Sequence, residues 1–153
     1  MISLLLLAAI NPPQQVTRIV VEKSQHKLVL YHDQTKLQEY RVSLGSSAGA
    51  KQKAGDRKTP EGTYIVDAKN EHSRFHHAFH LSYPNPQDRE RARKLRADPG
   101  GGIEIHGQMG SIGWLGPLAI HFDWTAGCIA LTNDEIDAMW TIVSLGTPVQ
   151  IEP

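Results

Sequence analysis

Apolar residues recur at two different periods along the chain, and the change of period divides it into elements. From residue 16 to 45 the period is two. Residues 18–23 are rich in β-branched side chains, residues 27–31 are similarly apolar, and Tyr40, Val42 and Leu44 alternate with Glu39, Arg41 and Ser43. This predicts three strands, with Ser24-Gln25 and Asp33-Gln34 supplying the turns. A further strand is predicted at 63–68. The helical period appears twice. At 84–97, Asn85 suits an N-cap, Pro86 a first helical position and Asp88 a first turn, where a negative charge is favourable. Only Ala92 and Leu95 give this helix an apolar face, so Arg89, Arg91, Arg93, Lys94 and Arg96 are expected to face solvent, with Glu90 pairing to Lys94. At 132–143, Thr132 and Glu135 have capping-box spacing, and Ile136, Met139, Trp140 and Val143 recur at i, i+3, i+4 and i+7. That helix belongs to the core. Gly146 and Pro148 end it before a last strand at 149–151. The pattern is mainly β with two short helices.

Composition narrows the picture. At 153 residues the chain suffices for one domain with a real core. Its 16 Lys and Arg balance 16 Asp and Glu, so no global field draws it to nucleic acid, and no stable protein partner is implied. The apolar run at 1–10 is too short to span a bilayer and resembles the hydrophobic part of a secretory signal, although no Lys or Arg precedes it. Residues 1–15 are therefore read as a candidate signal or tail ending in a proline-containing linker. Residues 16–153 are read as one folded domain, placed in the periplasm or otherwise outside the cytoplasm by the candidate signal.

Candidate chemistry gathers between residues 103 and 131. Cys128 is the only cysteine, so no intramolecular disulfide can form. A thiol is a weak nucleophile until a neighbouring imidazole or positive field activates it, and His106 and His121 are the nearby candidates. Alternation puts Ile103 and Ile105 on one face of a short strand and Glu104 and His106 on the other. The Gly107 carbonyl can accept from His106 Nδ1–H and hold the other nitrogen toward the thiol. His121, between Ile120 and Phe122, suits a polar contact in the cleft or a satisfied core position. Asp123, Trp124 and Thr125 lead into the nucleophile turn, where the main-chain N–H groups of Gly127 and Cys128 are candidate oxyanion donors. Residues 108–117 would roof the cleft. Lys51, Lys53, Arg57 and Lys58 sit in a glycine-containing loop suited either to solvent or to a wall of that cleft.

His72, His76 and His80 fall four apart and invite a metal reading. No HExxH pattern accompanies them, the stretch fits an extended or turn segment equally well, and a lining of the cleft or plain surface is favoured over zinc. No metal is expected to take part in the reaction, so chelation by EDTA should leave turnover unchanged.

Two motifs carry a resemblance. Ile105-His106-Gly107, a loop, and Thr125-Ala126-Gly127-Cys128-Ile129 form one; residues 55–64, GDRKTPEGTY, form the other. With them the chain resembles the L,D-transpeptidase family, the YkuD-type catalytic domain. It departs from the usual pattern at Ala126, where a His commonly stands, and at Ala130, where an Arg commonly stands. The resemblance implies a YkuD-like β-sandwich in which Cys128 is the nucleophile and His106 the base, with Gly107 and Gly127 framing them. It implies peptidoglycan stem peptides as substrate, contacted by His121, Asp123, Trp124 and Thr125, with 3-3 cross-linking or protein anchoring as outcome and a part in cell-wall organisation and cell shape. It further implies no cofactor, and acylation of Cys128 by carbapenems. A carboxypeptidase- or amidase-type hydrolase of the same family and a non-catalytic wall-binding module are the alternatives. An active enzyme is expected to carry an acidified Cys128 that iodoacetamide alkylates faster than free cysteine.

Overall fold

The first three strands pair in chain order, as do the fourth to the seventh, and the last inserts between the first and the fourth. In the computed structural model, which describes residues 13–153, they form β1 (Arg18–Glu22), β2 (Lys27–His32), β3 (Thr35–Arg41), β4 (Gly62–Ser73), β5 (His76–Leu81), β6 (Glu104–His106), β7 (Ile129–Ala130) and β8 (Pro148–Glu152). The candidate signal at 1–10 lies outside the described residues. The sheet runs β3-β2-β1-β8-β4-β5-β6-β7, so the last strand in sequence is central in space. It lies parallel to β1 and antiparallel to β4.

The sheet curls on itself. Beyond β3 the chain crosses to the far edge, where Ser43 bridges Ala130 and Gly45 bridges Thr125. The expected alternation through Leu44 is therefore split: the strand stops at Arg41, and Val42 and Leu44 bury their side chains beside β7. The curl encloses Ile19, Leu28, Tyr64, Val66, Phe79, Leu81, Ile105, Ile129 and Ile151 in one apolar cluster. This is the mainly β architecture that the pattern predicts, in the sandwich-like form that the resemblance implies.

Three helices complete it: α1 (Pro86–Lys94), α2 (Gly116–Ala119) and α3 (Asn133–Trp140). Both expected caps form, with reciprocal bonds between Asn85 and Asp88 and between Thr132 and Glu135. α2 corrects the expectation of two helices. The segment read as a plain roof coils through a 3-10 turn at Gly110–Leu115 into α2, with Pro117 in its first turn. A second correction concerns Leu95, which caps α1 and turns to solvent, while Ala92 and the Asp88 carboxylate are buried. α3 buries Ile136 and Met139 against the sheet, and Lys69 Nζ donates to Trp140 O at 2.6 Å and Val143 O at 3.0 Å at its C-terminal end.

Candidate active site

β6 and β7 run parallel, with His106 beside Ala130 and Ile105 beside Ile129. Residues in register share a face and alternate along each strand, so Cys128, one residue before β7, falls on the face of Glu104 and His106. Its contacts agree. The thiol lies 3.4 Å from Gly102 O and accepts from the Glu104 N–H, at the start of the strand that His106 ends.

His106 is 1% exposed, and its Nδ1 donates to Gly107 O at 2.7 Å, which leaves Nε2 without the proton. Phe75 stacks on its ring at 4.3 Å, and Trp124 meets it edge-on at 5.9 Å. Burial between these aromatics, with a smaller push from Arg74, lowers the imidazole to about 4 despite the opposing bond to Gly107. Cys128 keeps some contact with solvent, yet loss of water around the thiol outweighs the Glu104 N–H and raises it to about 11. The expectation of an acidified resting thiol is thereby corrected. At neutral pH the two groups are a neutral thiol and a neutral imidazole, which suits general-base transfer rather than a standing ion pair.

Glycines set the close approaches. A Cβ on Gly107 would lie 2.6 Å from Asn133 Oδ1, which accepts from the Gln108 N–H at 2.7 Å. Gly127 has φ +133°, and a Cβ there would lie 2.7 Å from Lys58 O. This presses the turn before Cys128 onto the 46–61 loop, whose centre is Asp56. That carboxylate takes Lys51 Nζ at 2.9 Å and the N–H groups of Gln52, Lys53 and Lys58. Burial alone would raise Asp56, but these bonds outweigh it and hold the group near 2. Lys51, with Ala54, Gly55, Gly100, Ile103 and Ala126, lines a cavity of 260 Å³ that opens on Cys128.

The expected site residues separate into two groups. Cys128 and His106 fall on one face of neighbouring strands, with Gly107 and Trp124 beside His106 and Gly127 beside Cys128. Thr125 is buried in the turn itself, where its hydroxyl donates to Cys128 O at 2.7 Å and accepts from the Gly127 N–H at 3.1 Å. It shapes the turn, and it occupies one of the two expected oxyanion donors. Asp123 accepts from the Leu44 N–H at 2.8 Å and pairs with His26 at 2.9 Å, so both its oxygens are engaged. His121 is exposed in the turn after α2. The contacts of Phe75 and Asn133 and the pairing of Lys51 with Asp56 are not legible in the sequence, although Lys51 lies in the loop suited to a cleft wall and Asp56 in the 55–64 motif.

A profile of the YkuD family, the L,D-transpeptidase catalytic domain, matches residues 16–151. The chain belongs to this family. It is 32% identical over 112 residues to the Escherichia coli K12 protein named "Putative L,D-transpeptidase YafK", covering 71% of this chain and 37% of that one. The crystal structure of the helical cell shape determining protein Pgp2 from Campylobacter jejuni superposes with a TM-score of 0.67 at 27% identity, over 92% of this chain and 48% of Pgp2. L,D-transpeptidase 3 from Mycobacterium tuberculosis, solved with a faropenem-derived adduct, shares the fold at a TM-score of 0.61 and 16% identity, over 89% and 60% of the two chains. The chain thus spans less than half the length of YafK and of Pgp2.

Proposed function

We propose that the chain is an acyltransferase of peptidoglycan stem peptides, acting outside the cytoplasm through a thioester on Cys128. The observation that carries this is the His106 Nδ1–Gly107 O bond of 2.7 Å, which frees Nε2 on the face shared with the thiol. Cys128 Sγ bonds to the carbonyl carbon of the amide that follows an L-to-D-linked diamino acid. Its proton passes to His106 Nε2 and then to the leaving amine as the C–N bond breaks. An acceptor amine then bonds to the thioester carbon as the C–S bond breaks, and the proton that amine loses passes through His106 Nε2 to the departing Cys128 sulfur. With the Gly127 N–H engaged by Thr125, the Cys128 N–H is the remaining candidate for the oxyanion. Trp124 Nε1 is buried beside His106 without a hydrogen-bond partner among the described residues, and a substrate carbonyl would satisfy it.

Hydrolysis is a second reading. The cavity beside Cys128 is lined largely by glycine and alanine, including Ala126, and so offers little to hold an acceptor amine against water. Membership of the family and the likeness to Pgp2 support a role in wall architecture and cell shape. Incubation with disaccharide tetrapeptides, followed by mass spectrometry, distinguishes the outcomes: transfer gives cross-linked dimers, hydrolysis gives trimmed monomers, and neither product would contradict the proposal. Solved relatives carrying imipenem or a faropenem-derived adduct support the expectation that a carbapenem adds its mass to Cys128.

A further inference from the structure

The histidine-rich stretch does not form the helical face that a four-residue spacing suggests. It is a hairpin. His72 is exposed on β4, and His80 pairs through Nδ1 with Asp67. His76 and His77 do something different: both reach one oxygen of one carboxylate. His76 Nε2 lies 2.7 Å and His77 Nδ1 2.8 Å from Asp137 Oδ1.

Successive residues of a strand point to opposite faces, so neighbouring side chains do not ordinarily converge. They converge here because His76 has φ 74°, a left-handed conformation uncommon outside glycine. The His77 ring is further held by stacking on Trp140 at 4.4 Å and 15°. One candidate ligand atom from each of His76, His77 and Asp137 lies within 4.8 Å of the others. All three side chains are reachable from solvent, with exposures of 36%, 21% and 47%.

We propose that His76, His77 and Asp137 bind one divalent transition-metal ion, zinc by ligand type, which fastens the β4–β5 turn to α3. Two imidazoles and a carboxylate are a common zinc donor set, with water free to complete the tetrahedron. In the free protein each ring donates a proton to Asp137 Oδ1. When the ion takes that place, each neutral ring carries its proton on the outer nitrogen. The location gives the ion a structural consequence. Phe75 precedes His76 and stacks on His106, while Ile136 precedes Asp137 and packs against Gly107. Binding would therefore pin two walls of the His106 pocket without placing metal at the thiol.

The test uses the Cys128→Ser protein, so that the thiol contributes no ligand, after EDTA treatment and dialysis. Titration with zinc chloride should show one saturable site per chain by calorimetry and raise Tm. Asp137→Asn keeps the size of an exposed side chain and should weaken zinc at least about tenfold, as should His77→Gln. Cobalt(II) in the same site should give the intense visible bands of tetrahedral coordination, absent in Asp137→Asn. No saturable uptake, or uptake unchanged in both variants, would overturn the proposal. The acyl transfer proposed above uses no ion, so acylation in the otherwise unmutated protein is read separately.

Discussion

The neutral state of the Cys128–His106 pair sets how the rate should depend on pH. The proposed transfer requires an unprotonated His106 together with a protonated Cys128. With one group lowered to about 4 and the other raised to about 11, the acylation rate should be level from about pH 5 to about pH 10. A rise centred between pH 6 and 8 would contradict the burial argument. Phe75 is the residue that most directly excludes water from the imidazole. Phe75→Ala should move the acid limb upward toward the ordinary histidine value near 6.5. The same depression acts on stability. Between the folded value of about 4 and the unfolded value of 6.5 the unfolded chain binds the extra proton, so stability falls as pH drops through that window, by about 3 kcal/mol in full. Denaturant titrations at pH 7 and pH 4 check it, with Phe75→Ala losing less between them. The Nδ1 bond of His106 to the Gly107 carbonyl was legible in the sequence because Gly107 follows it. The depth of its burial was not, since Phe75 arrives from a hairpin 31 positions away in sequence.

At the scale of elements, the 46–61 loop decides the shape of the cleft. Its glycines and basic residues read equally well as a solvated surface, because the pattern does not say which charge is buried. The fold answers through Asp56, which gathers the buried Lys51 and three main-chain donors. The pair is only 4% and 8% exposed in its side chains. Asp56→Asn strands a buried ammonium and should cost about 3 kcal/mol, the low end for breaking such a pair. Urea unfolding measures it, and a loss below about 1 kcal/mol would show that Lys51 finds water. The helices were far easier to read. Asn85 and Thr132 announce their caps within four residues, whereas α2 carries no comparable cap and arises where Pro117 and the 3-10 turn wind the chain beneath exposed Trp114 and Leu118.

At the scale of the whole molecule, period-two patterning shows which residues enter the sheet but not their neighbours. Val149 and Ile151 alternate like an edge or a central strand, and their place between β1 and β4 follows only from the closed core. That placement lets β6 and β7 lie at one end of the curl, where Ser43 bridges Ala130 of β7. The most direct test of the central claim is intact and peptide mass spectrometry of the protein quenched during single-turnover reaction with a disaccharide tetrapeptide. The predicted result is a mass increment, corresponding to the acyl part of the donor peptide, on the peptide containing Cys128. It should be absent in Cys128→Ala, form at least about a hundredfold more slowly in His106→Ala, and form at nearly the original rate in His121→Ala. Turnover that persists in Cys128→Ala, or acylation lost in His121→Ala while His106→Ala stays near wild type, would contradict the account.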